Sequence, residues 1–231
     1  MKSKLFKWKH YQHDIIILCV RWYLKYPLSY RNIQDMMEER GLFINHTTIY
    51  RWVIEYSPII ARGLRKHLRK TSDSWRVDET YIKVNGKWTY LYRAVDQHGD
   101  TIDFWLSRKR DKNAAKKFFR KALRSPHNDN PRVITTDKYR ATTKAINTDI
   151  KLGRLNSSTK HRSSKYMNNI IEQDHRYIKR IVNPMYGFKH FKSACLTLQG
   201  IESMNMIRKG QANTNNVSDE IKLINQIFSV A

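Results

Sequence analysis

The chain has 231 residues, with 44 Lys+Arg against 20 Asp+Glu, a formal net charge of +24 and a pI near 10.1. That balance excludes a basic partner and points to a polyanion, nucleic acid ahead of an anionic membrane surface. Hydrophobic residues at 40%, with 8 Gly and 5 Pro, exclude a disordered basic tail, and the length suits one compact domain plus a smaller accessory one.

Cys19 and Cys195 are too few for a disulfide framework or a zinc site. Both lie in apolar helical stretches, as small core residues of a reducing, cytoplasmic compartment would. The longest apolar run, Ile15–Val20, is cut short by Arg21 and no small-residue cleavage site follows. Neither a membrane span nor a leader is therefore expected.

In chain order, Asp14 is a candidate cap for a helix carrying Ile15, Leu18, Cys19, Trp22 and Tyr23, which Pro27 ends. Ser29 is an N-cap for the next helix and Gly41 suits its left-handed end. A third begins at Asn45 or His46, with Ile49, Trp52, Val53 and Tyr56 on one face and Thr47, Thr48, Tyr50 and Arg51 on the other. Two short helices around a Gly-containing turn, in a basic segment, predict a helix-turn-helix over residues 1–57 with those four residues facing DNA; an ordinary helical hairpin fits the same pattern. Residues 58–74, with Arg62, Arg65, Lys66, Arg69 and Lys70, read as a basic connector.

At Trp75 the period changes. Trp75–Val84 and Lys87–Val95 are rich in β-formers around Asn85-Gly86, a strong hairpin signal, and Thr101–Leu106 adds a third strand. Asp111 caps a helix with Phe118 and Phe119, and Val133–Thr136 is a short buried strand ending at Asp137. A helical stretch follows around Thr142–Ile146. Residues 151–165 are polar and resist assignment, although they leave room for one more strand. Helices are predicted at Asn168–Ile181 and Lys189–Lys209. After an Asn/Gln-rich link at 211–216 comes a short amphipathic helix capped by Ser218, with Ile221, Ile224, Ile227 and Phe228 on its apolar side. That face suits either contact with a second copy or packing on its own domain. Antiparallel strands followed by α/β alternation predict an α/β fold, a mixed sheet with flanking helices behind an all-α domain. The α/β domain is expected at 75–210 and a separate tail at 211–231.

Basic charge runs through both main segments. Residues 1–70 carry a net +9 and residues 71–210 a net +16, while 211–231 carry −1. Carboxylates are therefore informative where they sit in apolar surroundings. Asp78 lies inside an apolar and aromatic strand, Asp137 at the end of a buried one, and Glu172 on a helix whose polar face also holds Asn168, His175 and Lys179. Carboxylates in such places need a cation or a metal partner. Phosphodiester chemistry uses such a set to hold divalent ions. Spacing alone leaves structural ion pairs open, with Glu79 as a rival to Asp78. Asp174 falls in the apolar stripe of its helix, where a buried basic group is the expected partner.

These residues carry a resemblance. The run from Trp75 through Asp78, Glu79 and Thr80 to Val84, with Trp88–Asp96 after it, resembles the core of bacterial DDE transposases of the insertion-sequence-six family. Val133–Lys138 is similar to that family's second acidic motif and Lys165–Arg176 to its third, with 34 residues between Asp137 and Glu172. Thr47–Trp52 resembles its helix-turn-helix. The likeness reaches to about residue 210. Two departures stand out: Arg140 replaces a proline common in relatives, and residues 147–160 follow the pattern poorly.

The resemblance implies an RNase H-like core in which Asp78, Asp137 and Glu172 are catalytic and bind two Mg2+ (or Mn2+) ions. Lys179, His175 and Arg176 are then DNA-binding. It further implies terminal inverted-repeat recognition in double-stranded DNA, 3′-end cleavage and strand transfer into target DNA, commonly replicative. Handling two ends implies a homo-oligomer, at least a dimer. The alternative is a catalytically inactive, repressor-like relative, which accounts for the charge and the helices but not for the acidic motifs.

Overall fold

The computed structural model describes residues 4–137, 139–164 and 169–229. In chain order the elements are α1 (His13–Lys25), α2 (Tyr30–Glu38), α3 (His46–Leu64), β1 (Ser74–Val84), β2 (Lys87–Asp96), β3 (Thr101–Ser107), α4 (Lys112–Leu123), β4 (Val133–Thr136), α5 (Arg140–Lys151), β5 (Lys160–Ser163), α6 (Asn169–Val182), α7 (Phe191–Arg208) and α8 (Val217–Ile227). They group into two compact units: residues 69–177, and a helical unit formed from 1–68 together with 178–231.

In the helical unit, local chemistry sets the ends of α2. The Ser29 side chain accepts from the Asn32 backbone N–H while the Asn32 side chain accepts from that of Ser29, and Gly41 beyond the helix has φ of +72°. Asn45 caps α3 by accepting from the Thr47 N–H. Two capping expectations are corrected. Gln12, not Asp14, precedes α1, without a side-chain bond, and Asn216 rather than Ser218 caps α8 by accepting from the Asp219 N–H.

The α3 helix continues through Pro58 to Leu64, so the first residues of the expected connector are helical. An internal proline costs about 3 kcal/mol. Burial of Ile60 and Leu64 on the far side of it offsets that cost. The partner of α3 is α7, which the expected boundaries had placed with the catalytic domain. Gly200 on α7 permits a close approach: a Cβ there would lie 2.6 Å from both Leu24 Cδ1 and Ser57 Oγ. The last helix also packs here. Glu220 of α8 accepts from Arg21 Nη2 at 2.8 Å and pairs with Lys25, while Leu223, Ile224 and Phe228 are buried. Ile221, expected on the apolar side, is exposed.

In the other unit, five strands form one sheet in the order β3-β2-β1-β4-β5. The first three pair antiparallel, whereas β1–β4 and β4–β5 are parallel. Asn85 and Gly86 both take positive φ, 50° and 72°, as a tight two-residue hairpin turn requires. Alternation along β1 and β2 sends Trp75, Val77, Tyr92 and Ala94 to one face, where they pack with Ile134 and with Phe118 and Phe119 of α4 and Ala145 and Ile146 of α5. Asp111 caps α4 as expected. This is the RNase H-like arrangement, a mixed α/β sheet with flanking helices. Its edge strand β5 falls in the unassigned segment because Lys160-His161-Arg162-Ser163 has no apolar alternation to read.

Candidate active site

The parallel register of β1 against β4 pairs Val77 with Thr136, so the next residue on each strand is a carboxylate, Asp78 beside Asp137. Asp137 lies just past the end of β4, where its Oδ1 accepts from the Tyr139 N–H at 3.0 Å. Asp78, Glu79 and Asp137 each bring an oxygen within 4.8 Å of the others. Successive strand residues leave from opposite faces of the sheet, so Asp78 and Glu79 reach Asp137 from either side of the strand end.

Arg110, in the turn between β3 and α4, closes this cluster. Its Nη2 donates to Glu79 Oε2 at 3.3 Å and to Asp137 Oδ2 at 3.2 Å. The guanidinium stacks 3.9 Å from the Tyr139 ring centroid, and the Tyr139 hydroxyl donates to the Arg110 carbonyl. The electrostatics follow from burial and crowding. Burial first, then the neighbouring Glu79 and Asp137 charges, push the Asp78 carboxyl up to about 7. Burial also raises Glu79, against the lowering effect of Arg110.

The opposite face of the sheet receives the first half of α6. Asp78 lies across from Arg93 in the β1–β2 register. Arg93 donates from Nη2 to Asp174 Oδ2 at 2.6 Å, with both side chains buried. The acidic residue in an apolar stripe thus has the basic partner expected of it. His175 lies next to it, buried, with Nδ1 3.8 Å from Asp78 Oδ2. That corrects its expected place on an outward, DNA-facing side: the helix turns His175 toward the sheet and leaves Glu172, Arg176 and Lys179 exposed. Glu172 is not among the three clustered carboxylates. The start of the third motif, Lys165–Asn168, and Lys138 of the second lie outside the described residues.

A family model described as a DDE domain matches residues 72–211. The transposase for insertion sequence-like element IS431mec of Staphylococcus aureus is 41% identical over 204 residues, 88% of each chain. The transposase for insertion sequence element IS257 in transposon Tn4003, also from S. aureus, matches with the same identity and coverage. The chain belongs to the DDE transposases of the insertion-sequence-six family. An uncharacterized protein of Yersinia pseudotuberculosis is 42% identical over 91 residues, 39% of this chain and 85% of its own. A chain of a simian T-cell lymphotropic virus intasome resembles 48% of this one and 40% of its own length, with a TM-score of 0.38 and 17% identity.

A DDE transposase is a polynucleotidyl transferase that uses divalent metal, and its donors here suit one. Asp78 and Asp137 supply hard carboxylate oxygens at close range, the set that favours Mg2+ or Mn2+ over softer ions. Arg140, where the resemblance leads to the expectation of a proline, is the first residue of α5 and is exposed. Proline is favoured at that helical position because a backbone N–H there has no intrahelical partner to lose, and arginine fits it as well. In the helical unit of this transposase Thr47, Tyr50 and Arg51 are exposed on the first turns of α3 and Thr48 is half-buried. Tyr50 also rests edge-on against Tyr30, with ring centroids 5.6 Å apart. Among the described residues no helix is long and apolar enough to cross a membrane.

Sequence reasoning missed Arg110 and Tyr139 and passed over Glu79. The one available signal was a basic residue directly before the Asp111 cap, close in the fold to the strand ends but 27 residues from Asp137 in the chain.

Proposed function

We propose that this transposase binds the terminal inverted repeats of its element, cleaves their 3′ ends and joins them to target DNA. The pairing of Asp78 with Asp137 by the parallel β1–β4 register, inside a matched DDE domain, carries this reading. Asp78 and Asp137 would hold the metal, with Glu172 completing the set from α6. Two bound Mg2+ ions would lower the charge on the reacting phosphate and the pKa of the attacking oxygen. Water attacks the phosphodiester at the element's end, the P–O3′ bond breaks, and the departing oxygen takes a proton to leave a 3′-OH. That hydroxyl then attacks a target phosphodiester in line, breaking its P–O3′ bond, without a covalent protein intermediate. The outcome is replicative transposition.

Arg176 and Lys179 on the exposed side of α6 are assigned to phosphates. Thr47, Thr48, Tyr50 and Arg51 at the start of α3 are assigned to the groove of the repeat. His175, beside Asp78, is assigned to positioning that carboxylate rather than to contacting DNA. Two ends must be held together, so the working form is at least a dimer.

The test uses purified protein, labelled terminal-repeat duplex and Mg2+. Wild type is expected to nick and join, while Glu172→Gln binds the duplex as wild type does and neither nicks nor joins. Binding without cleavage by wild type would instead identify a repressor-like protein, and collapse of binding in the variant would make Glu172 structural.

A further inference from the structure

Beyond the carboxylates the β1–β2 hairpin runs on for several residues, and one of its faces is exposed apart from the half-buried Tyr90. Tyr81 pairs with Tyr90 and Lys83 with Trp88, so these four side chains share a face, the same one from which Glu79 leaves two residues earlier. Tyr81 is 46% exposed and Trp88 64%, and Lys83 is exposed with them. On the other face Ile82, Val84 and Thr89 are buried. The Tyr81 and Tyr90 rings lie 5.4 Å apart, tilted, and fix one another.

Exposed aromatics on a well-formed strand are costly to keep in water unless something covers them. The charge of the surroundings identifies the occupant. Residues 80–92 contain Lys83 and Lys87, both exposed, and no acidic residue. Arg108 and Lys109 follow directly on Ser107, which pairs with Tyr90 at the neighbouring strand. Rings that offer open π-faces, set among cations, are what a single strand of nucleic acid needs: the rings take the bases and the cations take the phosphates. A duplex has its bases stacked on each other and offers these rings nothing equivalent.

We propose that this hairpin face is a stacking platform for unpaired nucleotides of the DNA strand engaged at the carboxylate cluster. The proposal rests on the reading of that cluster as a DNA-processing site. At about 3.4 Å per residue the Tyr81 row lies about 7 Å and the Trp88 row about 14 Å along the strand from Glu79, roughly two and four stacked bases from it. Tyr81 and Trp88 would then hold the strand locally unpaired beside the reacting phosphate, with Lys83, directly across from Trp88, on its backbone.

The experiment measures binding of oligodeoxythymidine, of an abasic oligomer of the same length and of a blunt duplex of mixed sequence, to wild type and to Trp88→Ala, Tyr81→Ala and Trp88→Phe. Nicking by wild type is followed in parallel. Wild type is expected to prefer oligodeoxythymidine to the abasic oligomer. Each alanine variant should lose roughly tenfold in affinity for the former alone, and Trp88→Phe should recover most of it. Equal binding of the two oligomers by wild type, or unchanged affinity in both alanine variants, overturns the platform. So does a shift of Trp88→Ala to a smaller species in sedimentation, which would make the face a contact between copies. Absence of nicking by wild type would count against the transposase reading and leave the base-stacking measurement intact.

Discussion

Glu79 and Arg110 change the meaning of the acidic cluster at the level of single residues. Glu79 is almost fully buried and its Oε2 rests on a guanidinium that also serves Asp137. Removing one partner of such a pair leaves the other buried beside like charges, at about 3 kcal/mol or more. Arg110→Ala is therefore expected to lower stability in urea by about that amount, and Glu79→Gln in the same chain should restore much of it. Equal destabilisation by the single and double variants would show that Arg110 acts through Tyr139 instead.

Asp78 gives the pH dependence. Its carboxyl titrates at about 7 when folded, against an ordinary 3.8. Between those values the folded chain holds a proton that the unfolded chain has released, so stability falls as pH rises from about 4 to about 7 and stays low above. Metal requires the ionised form, so Mn2+ affinity by calorimetry should drop about tenfold for each pH unit below about 7 and level off above it. Asp78→Asn should raise the melting temperature at pH 8 and change it little at pH 5. An unchanged difference across that range would mean that Asp78 is not the titrating group.

At the scale of elements, the Arg93–Asp174 pair fixes α6 to β2 beside Asp78 and so sets where Glu172 and His175 can stand. Asp174→Ala is expected to cost about 3–5 kcal/mol. The milder Asp174→Asn should keep the fold and lower end cleavage more than duplex binding. Equal loss of both would assign the pair to overall stability alone. Elements of this kind were legible in part. The wheel of residues 167–181 exposed Asp174 as anomalous, and the strand pattern placed Asp78 and Asp137, because burial on a periodic element leaves a local trace. Arg110 left no periodic trace, since a turn residue has no period, and only its place before the Asp111 cap pointed to it. His175 shared a polar wheel position with Lys179, yet depth against the sheet separates them. The passage of α3 through Pro58 was illegible for a related reason: the packing that outweighs the proline comes from far along the chain.

For the whole molecule, composition pointed to a polyanion, nucleic acid first, but not to the division of labour. The expected boundary at residue 57 treated the N-terminal helices as a self-contained reader, whereas the fold completes them with α7 and α8. The amphipathic face of residues 217–228 packs within that unit, where Glu220 holds Arg21 and Lys25. Gly200→Ala tests the arrangement. Its Cβ would meet Leu24 and Ser57 at 2.6 Å. Overpacking of this kind costs about 1–3 kcal/mol. The variant should therefore weaken binding of terminal-repeat DNA although the change lies far in sequence from Arg51. Unchanged stability would show that α7 can retreat without loss.

The pairing of α3 with α7 also has a consequence for synthesis. A ribosome releases α1–α3 long before α7 emerges, so the buried side of α3 waits through the whole of the sheet for its cover. A copy of the gene interrupted anywhere before Phe191 would yield helices with their core open, fit for proteolysis rather than for occupying repeats. On the proposed assignment of Thr47–Arg51 to the repeat, decay of such an element by truncation would remove its DNA reader and leave no stable helical fragment to compete with intact copies for their ends.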